Sequence, residues 1–128
     1  MQTEILKEII ECIKRTPDAE FNMERWKSVN CSTAVCAIGA YITQHPESEL
    51  KLELDYTDIH GVKYLKPILG KWEHITAVAE YLGLSFYETE YLFHPWTYPD
   101  SRNVTKEEVI ERIQKLLVSP NSSNPNLN

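Results

Sequence analysis

Ile5, Leu6, Ile9, Ile10 and Ile13 recur at intervals of three and four between Thr3 and Arg15, with charged residues between them. That spacing lines the apolar side chains along one stripe of an α-helix. Thr3 is placed to cap its first turn, and Pro17 ends the segment. Phe21, Met23 and Trp26 follow in a linker too apolar to lie in water, which we read as anchored on the core. From Cys31 to Tyr41 the chain is almost wholly apolar or small. This run predicts a helix over residues 33–43, apolar around most of its circumference and therefore central to the fold. Ala34, Ala37, Gly39 and Ala40 are small enough for a neighbouring backbone to come close. His45-Pro46 stops the helix, because the residue before proline is pushed out of the helical region.

The period then changes. Leu50, Leu52, Leu54 and Tyr56 alternate with Lys51, Glu53 and Asp55, which predicts a half-buried strand. Asp58 to Gly61 reads as a turn and Val62 to Leu65 as a returning strand. Such a ribbon is marginal alone and must lie against the helices. Trp72, Ile75, Val78, Ala79 and Leu82 restore the helical period, and Gly83 stands where a left-handed terminal residue belongs. Ser85 and Glu88 form a capping box for a fourth helix that ends near His94-Pro95. Thr105 and Glu108 form another, and Val109, Ile110, Ile113, Leu116 and Leu117 give the last helix its stripe. Residues 119–128 are nearly all polar and turn-forming, and predict a disordered tail.

The expected fold is therefore mainly α. A single domain over residues 1–118 holds about five helices around the buried central helix, with a small two-stranded β-ribbon. Trp26, Cys36, Gly39, Trp72 and Phe93 are its expected core anchors, with the first and last helices against the central one.

A chain of 128 residues fits one domain. Its 19 acidic against 13 basic residues, a net charge of −6, argue against a broad phosphate-binding face and so against nucleic acid as a partner. No apolar run reaches the roughly 18 residues of a membrane span. The charged, amphipathic N-terminal segment lacks a signal-peptide core, and three cysteines are an odd count. Free thiols in the cytoplasm are the expectation.

Three places offer chemistry. Cys31 and Cys36 have four residues between them and no second pair, so their spacing does not make a metal site even with His60 and His74 in the chain. Were both helical, their Cα atoms would lie about 7.5 Å apart, beyond disulfide range. Cys31, just before Ser32-Thr33, is the candidate reactive thiol, because a helix N-terminus lowers a thiol's pKa. His45, His60, His74 and His94 sit in no recognisable partner motif, so we assign no catalytic residue, metal ligand or cofactor. Residues 75–93 have the spacing of a helix-turn-helix, but the would-be reading helix carries Glu88 and Glu90 and no Lys or Arg. In the stiff His94–Asp100 loop, Trp96 and Tyr98 offer rigid contact area. With Tyr87 and Glu88 they are the candidate partner-binding residues. The competing reading has both rings plugging the core, and it is the stronger one for Trp96. Glu107, Glu108, Glu111, Arg112 and Lys115 read as the solvated face of the last helix.

Phe21-Asn22-Met23 with Trp26, the Cys31-x-Thr33-x-x-Cys36-x-x-Gly39 run, Ala79-x-x-Leu82-Gly83-Leu84, Leu92-Phe93-x-Pro95-x-x-Tyr98 and Thr105-x-x-Glu108 occur in this order. Together they resemble a family of small, largely uncharacterised proteins of bacteria and their phages. Members often have glycine where this chain has Ser32, and tryptophan or histidine where it has Ala40. The resemblance implies no enzyme activity, and suits cytoplasmic proteins sometimes carried by mobile elements. The expected function is a non-enzymatic module that binds a protein partner, such as a host–phage factor or small regulator. The alternatives are a helix-turn-helix-like DNA-binding regulator and a cysteine-dependent hydrolase using Cys31.

Overall fold

The first apolar stripe becomes α1, Thr3–Arg15, which buries Leu6, Ile9, Ile10, Cys12 and Ile13. The structure is a computed structural model that describes residues 1–29 and 34–118. Cys31, its Ser32-Thr33 neighbours and the tail at 119–128 lie outside the described residues. Helix α1 starts at Thr3 itself, and Gln2 before it makes no side-chain cap. Among the described residues, no helix is long and apolar enough to cross a membrane.

The mainly-α expectation is overturned. Among the described residues, five strands form one sheet: β1 (Lys27–Val29), β2 (Ala34–Val35), β3 (Lys51–Thr57), β4 (Lys63–Leu69) and β5 (Trp72–Glu73). The order is β2-β1-β4-β3, β5 also pairs with β4, and these strands all pair antiparallel. The fold is mixed α/β, with the expected ribbon, β3 and β4, extended by three short strands. Ala34 and Val35 leave the expected central helix because their backbone is satisfied elsewhere. Val35 N–H donates to the Glu20 carbonyl at 2.8 Å, and its own carbonyl accepts from Asn22 N–H at 2.9 Å. Helix α2 is accordingly Ala37–Gln44, with Cys36 as its extended N-cap.

Trp72 is a second correction. It lies in β5, 38 % exposed, with the Lys71 ammonium 5.1 Å from its ring, and is not a core anchor. Helix α3 begins after it, His74–Leu82, and ends on left-handed Gly83 as expected. Trp26 is half-buried against the core, whereas Cys36, Gly39 and Phe93 are buried. The centre of the helical layer also shifts. α1 is the element that packs against both α2 and the last helix, α5 (Lys106–Val118). Helix α4, Phe86–Phe93, carries the predicted capping box, and a single 3₁₀ turn, Pro95–Thr97, links it onward. Asp58 builds the β3–β4 turn, its Oδ1 accepting from His60 N–H at 2.8 Å and Val62 N–H at 3.0 Å.

Candidate interaction surface

Helix α4 turns Thr89, Leu92 and Phe93 inward. Residues one turn apart share a face, so Tyr87 and Tyr91 are left together on the outside. Tyr87 is 80 % exposed, and Tyr91 and Phe86 are exposed beside it. The helix presenting them is firmly started. Glu88 N–H donates to Ser85 Oγ and Ser85 N–H to Glu88 Oε1, each at 3.0 Å. Glu88, a candidate contact in the sequence, is therefore engaged in the cap.

The loop after α4 reverses the expectation for Trp96 and decides between the two readings of Tyr98. Trp96 projects into solvent, 65 % exposed, while Tyr98 is buried at 5 %. Tyr98 Oη donates to the Leu92 carbonyl at 2.6 Å, a bond its ring reaches only from inside. Arg112 lies over both neighbouring rings, 3.6 Å from the Tyr98 centroid and 3.9 Å from that of Tyr91. Its guanidinium also donates to Thr97 Oγ1 at 2.9 Å and to the Thr97 carbonyl at 2.8 Å. Arg112 thus bolts the 3₁₀ turn to α5 rather than sitting on a solvated face. No local signal in the sequence marks it, because its partners lie 14 residues and more away.

These placements separate two substitutions. Tyr98→Phe strands a buried carbonyl and is expected to cost about 1–3 kcal/mol in urea unfolding. Trp96→Ala removes mostly wetted surface and is expected to cost under about 1 kcal/mol.

Behind Trp96 runs a groove of about 260 Å³, walled by Arg25, Trp26, His74, Phe93 and His94. The His94 ring lies 4.0 Å from Trp96 and 6.3 Å from Trp26, centre to centre. Arg25, Trp26 and His74 also wall a second hollow of about 130 Å³ that reaches Tyr56 and Tyr64, whose rings stack at 4.7 Å. His74 opens α3 with φ 59°, a left-handed conformation that only special surroundings hold in a non-glycine residue.

His94 Nδ1 is buried without a hydrogen bond; Glu90 Oε2 is 3.3 Å away but out of line. Burial holds the imidazole below its ordinary 6.5, against the smaller pull of Glu90. The unfolded chain therefore takes up this proton first. The stability that neutral His94 contributes is complete above about pH 6.5 and is lost as the pH falls towards the lower folded value. Urea midpoints are expected to drop more between about pH 7.5 and about pH 5 in the native chain than in His94→Gln. Equal drops would contradict this role of His94.

Cys36 lines neither hollow. Its Sγ accepts from Gly39 N–H at 3.5 Å, and burial pushes its thiol up to about 11, so it is a packed helix cap and a poor nucleophile. Among the described residues, the grouping with the spacing of metal ligands is Glu8, Cys12 and His45, which excludes Cys36, His60 and His74. Beside the geometry stands a plain negative: no protein-family model, curated protein or solved structure matches this chain.

Proposed function

We propose that the protein is a non-enzymatic interaction module that binds a protein partner through Tyr87, Tyr91 and Trp96. One observation carries the reading: three large rings stand in solvent on a helix and turn fixed by a capping box and by Arg112. Exposed aromatics on a rigid platform match the residues that dominate binding energy at interfaces, because they bring contact area at little entropic cost. Glu90 beside them, with the net charge of −6, favours a partner whose rim is basic. The same acidity disfavours the DNA-binding alternative, for which low-salt gel shifts are the test. A small regulatory or phage-associated factor acting in the cytoplasm fits this reading and the motif resemblance.

Tagged native protein and Tyr87→Ala/Trp96→Ala are compared for co-purified proteins, with circular dichroism confirming equal folding. The double variant is expected to weaken the captured complex at least about tenfold, the 1.4 kcal/mol of one modest hot spot. Equal capture by both chains contradicts the assignment.

A further inference from the structure

Glu8 and Cys12 stand one turn apart on α1, and His45, the C-cap of α2, lies over them. Glu8 Oε2 is 3.0 Å from His45 Nε2 and 3.9 Å from Cys12 Sγ, and all three donor atoms fall within 4.8 Å of one another. Ligand atoms on one tetrahedral zinc ion, at about 2.0–2.3 Å from the metal, are about 3.3–3.7 Å apart. The donors thus need to move by about an ångström or less. The far nitrogen of His45 is also provided for, since Nδ1 lies 3.0 Å from Glu47 Oε2. A carboxylate on the second ring nitrogen is the usual support of a ligating histidine.

A cation already sits at this place. Arg15 Nη1 lies 3.1 Å from Glu8 Oε2, 3.9 Å from Cys12 Sγ and 3.1 Å from Gln44 Oε1. Its side chain is 55 % exposed and hangs from the last turn of α1, so it is free to swing into solvent. What it leaves is a thiol, an imidazole and a carboxylate whose donor atoms lie within 4.8 Å of one another, three of the four ligands of a tetrahedral set. That mixed soft and borderline set suits zinc rather than magnesium or calcium, which take oxygen alone.

We propose that Glu8, Cys12 and His45 bind a zinc(II) ion, with Arg15 as the competing resident cation and Glu47 orienting His45. On binding, the Cys12 thiol proton and the proton of His45 Nε2 pass to solvent, and the metal takes their places. The residues are separated along the chain and follow none of the close Cys/His spacings of metal motifs, which is why the sequence assigns no metal.

Cobalt(II), a spectroscopic stand-in for zinc, is titrated into the reduced full chain. The expected result is a thiolate-to-cobalt charge-transfer band with tetrahedral d–d bands, erased by added zinc. Cys12→Ser is expected to abolish the charge-transfer band and Cys31→Ser to keep it. Arg15→Gln is expected to tighten cobalt binding about tenfold by removing the rival charge, and Glu47→Gln to weaken it about tenfold. No band in the native chain, or a band that survives Cys12→Ser, overturns the site. Should Cys12→Ser fail to fold, the opposite shifts of Arg15→Gln and Glu47→Gln decide. Equal cobalt affinity in those two and the native chain overturns the proposal.

Discussion

Gly39→Ala is expected to destabilise the protein by about 3 kcal/mol or more, a large part of the 5–15 kcal/mol that holds a domain together. A Cβ added at Gly39 would stand 1.9 Å from the Trp26 carbonyl oxygen, 2.6 Å from Val35 Cγ2 and 3.0 Å from the Trp26 carbonyl carbon. Two of these atoms are backbone, so no rotamer change relieves the clash. The carbonyl is also pinned, because it accepts from Cys36 N–H at 3.3 Å just where α2 begins. Relief requires the start of α2 to lift away from Trp26 and the strand that follows it. Trp26 walls the groove behind Trp96, so the damage reaches the proposed surface as well. Urea unfolding of Gly39→Ala against the native chain measures the effect, and a loss below about 1 kcal/mol contradicts the close approach.

Phe93→Ala is expected to cost about 3–5 kcal/mol. The ring is 1 % exposed at the end of α4, and it lines the groove beneath Trp26 and His94. Truncation removes its transfer energy and leaves a void that the surrounding helices fill only in part. Phe93→Leu keeps most of the volume and is expected to cost under about half as much. The midpoint of thermal unfolding, measured for both variants, gives the order directly. Similar losses from both would mean that the site collapses freely around the missing atoms.

Elements built by repetition or by a short chemical signature were legible in the sequence. The stripe of α1 follows from five isoleucine and leucine positions, and the Ser85–Glu88 box is present bond for bond. Gly83 ends α3 in the left-handed conformation its position demands. The close packing foreseen from the small residues is found at Gly39, where the neighbour is the Trp26 carbonyl. Three strands escaped because they are two or three residues long, too short to show a period. Ala34 and Val35 looked helical for a related reason. Their strand character lies in pairing with Lys27 and Ser28 of β1 and in the bonds of Val35 to Glu20 and Asn22, which composition does not record.

The surface was legible in part. Tyr87, a candidate contact, stands in solvent, and so does Trp96, against the stronger reading that its ring plugs the core. What separates Trp96 from Tyr98 is a single acceptor, the Leu92 carbonyl, together with the Arg112 guanidinium above the Tyr98 ring. Both are tertiary facts. Cys12 carries no signal in the sequence, since Glu8 and His45 converge on it only when α1 and α2 pack.

The proposed role of the α4 surface is tested most directly by photocrosslinking in cells from position 87. A photoreactive residue is placed there, and a second chain carries it at Lys115, on the exposed side of α5. A discrete crosslinked partner from position 87 only, lost when Trp96→Ala is added, is the expected result. Crosslinks of equal yield from both positions, or yield at position 87 that is unchanged by Trp96→Ala, would contradict an interface built on these rings.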